Sequence, residues 1–159
     1  MKPLKTALYL IAAITLAACT HTPHTGEHAE SSAPTIHSVA SRYTFNETVS
    51  RLENTIKAKG MVVFTVIDHQ AAAQKYGLTM QPAKVIVFGQ PKIGTPLMLK
   101  DPEFALQLPM RVLVTETNGQ VKAVFTDIRT LIRGSHIEYR DVENTLANAE
   151  KLIRKTVSE

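Results

Sequence analysis

Five side chains downstream of the N-terminal segment could bind a ligand or take part in catalysis: His69, Lys92, Met98, Asp127 and His136. Two imidazoles and a thioether would suit a soft metal such as copper, provided that His69 and His136 come together in the fold. Alternatively, His69 and Lys92 could hold an anionic small ligand, or His69 could act as the acid or base of an enzyme. A structural interpretation is also open, in which both histidines bond to backbone groups and Met98 fills core.

Several classes of catalytic site are excluded by the residues present. Cys19 is the only cysteine, so a free thiol nucleophile in the folded part of the chain and an intramolecular disulfide are both excluded. The chain has no Gly-x-Ser-x-Gly elbow, no Gly-x-Gly-x-x-Gly fingerprint and no Gly-Lys-Ser/Thr phosphate loop. The sequence therefore identifies neither a reaction nor a cofactor.

The candidate residues are grouped around a stretch that is rich in glycine and proline. Val85–Phe88 is an apolar run typical of a buried central strand, and Gly89 ends it. Pro91 and Gly94 follow closely, and Pro109 precedes the next apolar run. We interpret these four residues as shaping a loop between two core strands, and a binding site is expected in such a loop.

The N-terminal residues have the pattern of an export signal. Residues 1–18 combine a short basic start with an apolar run that is too short to cross a bilayer comfortably. Leu16-Ala17-Ala18-Cys19 resembles the lipobox of bacterial lipoproteins. The resemblance implies that Cys19 carries a diacylglycerol and becomes the first residue, so the membrane is a partner. Thr20, in place of aspartate, implies the outer membrane, facing the periplasm, in a Gram-negative host. An ordinary secretory peptide is the alternative.

Residues 19–34 are small, polar and proline-containing, so they lack the apolar side chains that a packed core requires. We expect a flexible tether whose histidines (His21, His24 and His28) either belong to a spacer or collect zinc or copper. Residues 35–159 then form a single domain. Of the 18 Lys and Arg residues, two lie in the signal peptide, which leaves 16 against 14 acidic residues and a net charge of +2. No basic block occurs, and nucleic-acid binding is not supported.

The hydrophobic pattern predicts two long helices and about five strands. A capping box at Thr44 and Glu47 begins the first helix, and the second runs from Asp141 to Val157. Asn118-Gly119 joins two strands in a hairpin, and the apolar run 61–67 predicts a strand buried on both faces. The predicted fold class is α/β (α+β), a two-layer sandwich with a mixed sheet and several short helices. One sheet face would be left partly uncovered, and a homodimer could bury it.

Three segments of the chain resemble a bacterial family, the domain of unknown function numbered 302. They contain Ile67-Asp68-His69, Val87-Phe88-Gly89-Gln90-Pro91-Lys92 and Ala105-Leu106-Gln107-Leu108-Pro109, the last followed by the hairpin. The resemblance covers roughly Val39 to Val157. It implies a compact α/β domain, often dimeric, with no established reaction. It also marks positions without assigning roles: His69, Gly89, Pro91, Lys92, Met98, Pro109, Asp127 and His136.

Together, these features predict a lipid-anchored domain of the bacterial envelope that binds a small ligand or a metal ion. A dimerising interaction domain without a ligand is the alternative. An enzyme that uses His69 as acid or base is the second alternative.

Overall fold

The computed structural model describes residues 35–159. The predicted signal peptide, Cys19 and the tether lie outside the described residues. The strands are β1 (Ile36–Ala40), β2 (Val62–Asp68), β3 (Ala83–Gly89), β4 (Met110–Thr117) and β5 (Gln120–Thr126). The helices are α1 (Phe45–Ala58), α2 (His69–Gln74), α3 (Pro91–Lys100), α4 (Ile128–Leu131), α5 (Tyr139–Val142) and α6 (Leu146–Ser158), with a 3-10 segment at Pro102–Gln107.

The strands form one five-stranded sheet in the order β1-β5-β4-β3-β2, and every neighbouring pair is antiparallel. The α+β class is confirmed, but the prediction of a mixed sheet was wrong. Helix α1 does return the chain so that β1 and β2 run in the same direction. These two strands lie at opposite edges of the sheet, however, and the other three strands separate them. A helical crossover therefore produces no parallel neighbours here.

The first long helix forms as its sequence predicts. The Thr44 hydroxyl accepts a hydrogen bond from the Glu47 amide, which satisfies one of the unpaired donors of the first turn. Val49, Leu52 and Ile56 lie on one face and are buried. The chain leaves the helix through Gly60, whose φ of +74° favours glycine.

The second long helix is interrupted, whereas the sequence predicted one helix from Asp141 to Val157. Its apolar positions are buried on both sides of the interruption: Val142 belongs to α5, and Leu146, Ala149, Ile153 and Val157 belong to α6. Thr145 has non-helical φ and ψ of −128° and −92°. Its hydroxyl donates to the Val142 carbonyl, a local bond that competes with the helical ladder.

Strand β2 lies at an edge of the sheet, so the prediction that it is buried on both faces was wrong. Val62, Phe64 and Ile67 are exposed. The register with β3 shifts between Val63 and Thr65, which breaks the alternation of side chains along the strand. An apolar run cannot distinguish an edge strand from a central one, because position in the sheet depends on distant segments.

Helices α1 and α6 pack on one face of the sheet and enclose the core, whose largest fully buried side chains include Phe88, Phe104, Leu52 and Ile56. The other face carries an aliphatic row across four strands. Ile67 lies opposite Val85, Val85 opposite Leu113, and Leu113 opposite Val124. We call this surface the open face, because the helices lie on the other side of the sheet. Its side chains are half-buried or exposed.

Candidate functional site

The stretch around Gly89 is a strand-to-helix junction rather than the predicted loop. Gly89 is the last residue of β3, Gln90 caps the next helix, and Pro91 is the first residue of α3. Proline is well suited to that position, since the amide that it lacks would have had no partner within the helix. Helix α3 also continues through Pro96, a residue type that usually kinks or ends a helix.

Neither glycine of this stretch has a positive φ, and only Gly94 is required by close packing. A Cβ atom on Gly89 would meet Phe64 at 3.5 Å and Pro109 at 3.7 Å, which are ordinary contacts. A Cβ atom on Gly94 would meet the Leu108 side chain at 3.3 Å, which is tight. Gly94 therefore permits the close approach of α3 and the segment before β4.

A surface cleft, here called the Gly89 cleft, lies on both sides of this junction. Its larger part has a volume of about 340 Å³ and runs between the end of α1, the start of α3 and α6. Its smaller part has a volume of about 180 Å³ and lies between α3 and the edge strand β2. Both parts are lined by Gly89, Gln90, Met110 and Leu146.

The Gly89 cleft has an apolar floor and a polar rim. Met61, Ile93, Ala149 and Leu152 line the larger part, together with the residues shared with the smaller part. The rim residues are Lys59, Gln90, Asn144 and Asn148. Within residues 35–159, neither the Lys59 ammonium nor the Gln90 side-chain amide has a hydrogen-bond or ion-pair partner. The arrangement suits a small molecule with an apolar body and one polar or anionic group.

Some of the sequence-predicted residues line this cleft. Met98 is half-buried and lines the smaller part, with Pro91, Gly94 and Pro109. Lys92 is exposed on α3 and is not among the lining residues. The stretch therefore borders a cleft, and the site at this stretch stays a prediction. The polar side chains at the rim include Lys59 and Gln90 but not Lys92.

The two candidate histidines lie at opposite ends of the sheet. His69 is exposed and follows Asp68 at the end that carries the Asn118-Gly119 turn. His136 lies between α4 and α5 and is exposed. It lies beside Asp101, which belongs to the segment that links the other ends of β3 and β4. A copper site from both histidines with Met98 is therefore not formed. A clamp made by His69 and Lys92 is not formed either, because Lys92 lies next to the Gly89 end of β3.

Asp101 has a structural explanation for its burial. Its side chain accepts hydrogen bonds from the backbone amides of His136 at 2.8 Å and Glu103 at 3.1 Å. The amide of His136 is the main cause that lowers the pKa of Asp101, against a smaller opposing effect of desolvation. The ring of His136 points its Nδ1 atom to within 3.8 Å of the same carboxylate.

Asp127 is the fifth candidate, and it belongs to a group that the sequence analysis missed. The His37 cluster consists of His37 on β1, Asp127 before α4 and Glu150 on α6. The Nε2 atom of His37 lies 2.9 Å from Asp127 Oδ2 and 3.7 Å from Glu150 Oε2. Burial of Asp127 would raise its pKa, but hydrogen bonds from His37 and from the Thr130 and Arg129 amides lower the pKa below its usual value.

A sequence signal for this cluster did exist. His37 and Val39 occupy the same face of β1, so the histidine replaces an apolar residue on the core-facing side. Glu150 is four residues after the buried Leu146 and next to the buried Ala149, at the border of the apolar stripe of α6. Polar residues at such positions usually have a partner, but a sequence does not show which one.

A family comparison agrees with this architecture. The family model for the domain of unknown function DUF302 matches residues 37–159. The chain belongs to the DUF302 family. This confirms the resemblance inferred from the sequence. A crystal structure of an uncharacterized DUF302 protein from Bacillus stearothermophilus has a TM-score of 0.59 and 22% identity to this chain. The match covers 79% of this chain and 94% of that one, and it shows that the two share the DUF302 fold.

Curated relatives of this DUF302 domain include proteins of Brucella suis, Brucella abortus and Brucella melitensis. The proteins named fluoride-specific ion channel FluC 1 from Brucella suis and Brucella abortus are each 42% identical to it over 90 residues. Those residues are 56% of this chain but only 35% and 33% of the relatives, so the chain spans about a third of their length. In the DUF302 domain itself, within residues 35–159, no helix is both long and apolar enough to traverse a bilayer.

Proposed function

We propose that this DUF302 protein is a lipid-anchored domain of the bacterial envelope that binds a small amphiphilic molecule in the Gly89 cleft. The observation that carries the ligand proposal is the combination of an apolar floor with unpartnered Lys59 and Gln90 side chains at the rim. A volume of about 340 Å³ lies near the lower end of the range for small-molecule sites, roughly 300–1,000 Å³. The ligand class is therefore a compact apolar molecule with one carboxylate or similar polar head.

The polar groups of the rim support an anionic or hydrogen-bonding head. An ammonium group such as that of Lys59 favours a negative charge, and the Gln90 amide can both donate and accept. The remainder of the lining has no charged side chain. A strongly charged ligand such as a nucleotide would therefore lose more hydration than the site returns.

Fluorescence titration with anilinonaphthalene sulfonate, an apolar dye with one anionic group, tests the cleft. We expect saturable binding that decanoate displaces. Gly89→Val should weaken binding by about tenfold or more, since a Cβ at Gly89 lies beside Phe64 and Pro109 and the added side chain fills the smaller part of the cleft. Lys59→Gln should weaken it less, and Lys75→Gln, at the other end of the sheet, should leave it unchanged.

The same titration separates the cleft from the apolar open face. If the dye binds both Gly89→Val and Lys59→Gln as tightly as the parent chain, the cleft is not its site. If Leu113→Arg alone abolishes binding, the dye occupies the open face and the ligand proposal fails. Thermal melting of each variant shows whether it is folded, so that loss of structure is not mistaken for loss of the site.

The envelope location is supported by the signal-peptide pattern and by the Ala17-Ala18-Cys19 sequence that precedes the tether. The Brucella relatives are named as ion channels, and a stretch of each is similar to 90 residues of this chain. We do not extend fluoride conduction to this chain, because the match covers only a third of those relatives.

Cys19→Ala should move the protein from the membrane fraction to the soluble envelope fraction, since acylation of the thiol supplies the anchor. The measurement is fractionation of expressing bacteria followed by immunoblotting, with Thr20→Ala as the matched control. Continued sedimentation with membranes of Cys19→Ala from which residues 1–18 have been cleaved would contradict lipid anchoring. It would leave the cleft proposal unaffected, because the cleft is formed by residues 35–159.

A second candidate function is self-association through the open face. The observation that favours it is the row of four aliphatic side chains that lie opposite one another across four strands (Ile67, Val85, Leu113 and Val124). Antiparallel sheets usually alternate apolar and polar residues when one face is solvated. The central row of this face is aliphatic throughout, while Arg111 and Lys122 lie beside it on the same face. A second copy offers the same row, so that apolar side chains would meet apolar side chains across a two-fold axis.

A further inference from the structure

The His37 cluster has the composition and the spacing of a site for a divalent cation. It offers one imidazole nitrogen and one oxygen from each of two carboxylates, and these three atoms all lie within 4.8 Å of one another. Zn²⁺ bound tetrahedrally at about 2.0–2.1 Å holds its ligand atoms roughly 3.3 Å apart. The observed distances of 2.9 Å and 3.7 Å from His37 Nε2 lie on either side of that value.

In each carboxylate of the cluster, one oxygen accepts hydrogen bonds from backbone amides and the other faces the centre of the cluster. Oδ1 of Asp127 accepts from the Arg129 amide at 2.8 Å and the Thr130 amide at 3.2 Å, while Oδ2 faces His37. Oε1 of Glu150 accepts from the Ile128 amide, while Oε2 has no hydrogen bond within residues 35–159. Metal ligands are typically oriented by such outer hydrogen bonds.

The electrostatics and the access of the cluster also suit a cation. Two carboxylates and a neutral imidazole carry a net charge of −2, which a divalent ion neutralises. The three side chains are 14–25% exposed, so an ion can enter and a water molecule can complete its coordination. Imidazole with carboxylate is a ligand set that zinc accepts, with three protein ligands and one open position.

We propose that His37, Asp127 and Glu150 bind one Zn²⁺ ion, with a water molecule as the fourth ligand. The imidazole binds as the neutral tautomer through Nε2, with its proton on Nδ1, and the present His37–Asp127 hydrogen bond is replaced by two bonds to the metal. The ion would tie β1 to the start of α4 and to α6. This inference does not depend on the Gly89 cleft, which none of the three residues lines.

Calorimetric titration with ZnCl₂ tests the site, on the chain from Thr20 onwards with His21, His24 and His28 replaced by glutamine. We expect one ion per chain and a rise in melting temperature on binding. His37→Ala should weaken binding by more than about 100-fold, since it removes a direct ligand. Glu150→Gln should weaken it by at least about tenfold, while keeping an oxygen for the Ile128 amide.

His136→Ala is the matched control, because His136 also lies beside a carboxylate but, within residues 35–159, belongs to no group of three potential ligands. It should bind zinc as the parent does. Substituted Co²⁺ should give the intense visible bands of tetrahedral coordination in the parent and not in His37→Ala. Absence of stoichiometric binding, or equal affinity in folded His37→Ala and Glu150→Gln, would overturn the proposal. So would zinc binding that occurs only when the three N-terminal histidines are present.

Discussion

Replacing Phe88 by alanine should lower the free energy of unfolding by about 3–5 kcal/mol. Phe88 is fully buried on β3, one strand from the edge of the sheet, and it lies opposite Met110 on one neighbouring strand and Val63 on the other. The truncation removes apolar contacts and leaves a cavity that the sheet cannot close, because neighbouring strands fix the backbone on both sides. A domain of this size is typically stable by about 5–15 kcal/mol, so the loss is a large part of the total.

The matched control is Phe64→Ala, the same substitution on the adjacent strand. The Phe64 side chain is 51% exposed, so we expect a loss of less than about 1.5 kcal/mol. Urea unfolding followed by circular dichroism measures both variants on the same chain. Equal losses for the two phenylalanines would contradict the assignment of the core to the helix-covered face.

Leu113→Arg should convert a dimer of the parent chain into a monomer. Leu113 lies at the centre of the open face, between Val85 on β3 and Val124 on β5. In a dimer, the guanidinium introduced by this substitution would face the same group of the second copy, or would hold the two copies apart. The aliphatic row contains no carboxylate that could pair with the buried charge. Stability should change little, because Leu113 is only half-buried in one copy.

The size of the open face is sufficient for such an interface. Five strands spaced about 4.8 Å apart, with about 3.3 Å per residue, give a planar area on the order of 500 Å² per copy. Two copies would then bury about the 1,000 Å² that a specific interface requires. Sedimentation equilibrium measures the association, with Asn54→Arg on the exposed side of α1 as control. A parent chain that stays monomeric at high concentration would contradict the dimer. The open face would then be a candidate for contact with a membrane surface or another protein.

Features of the fold that depend on local chemistry could be predicted from the sequence. The Thr44 cap and the apolar face of α1 involve residues within three turns of one another, and both formed as predicted. The Asn118-Gly119 turn needs only two residues with positive φ, and their φ values are 52° and 75°. The same applies to Asp127, which caps α4 through the Arg129 and Thr130 amides.

Features that depend on distant segments could not be predicted. The direction of β1 relative to β2 follows from α1, but the separation of these strands to opposite edges follows from how β3, β4 and β5 pair. The exposure of Ile67 also depends on strand pairing, because that pairing places β2 at the edge of the sheet. An apolar run is compatible with an edge strand as well as a central one.

In the candidate site, too, residues from one stretch of chain could be predicted and residues from distant segments could not. Gly89, Met98 and Pro109 line a cleft because they belong to one stretch of chain. The rest of the cleft comes from distant segments: Lys59 follows α1, and Asn144 and Asn148 belong to the α5–α6 region. No spacing in the sequence indicates that these residues lie beside Gly89. His37, Asp127 and Glu150 likewise meet only through the β1–β5 pairing and the packing of α6.

The most direct test of ligand binding in the Gly89 cleft is an NMR titration of the isotope-labelled chain from Thr20 with decanoate. We predict saturable shifts of the Gly89, Gln90, Asn144 and Asn148 amide signals, with a common affinity that Gly89→Val weakens by about tenfold or more. Signals from the open face, such as the Leu113 and Val124 amides, should be unaffected. Shifts confined to the open face, or no saturable shifts at the cleft, would contradict the account.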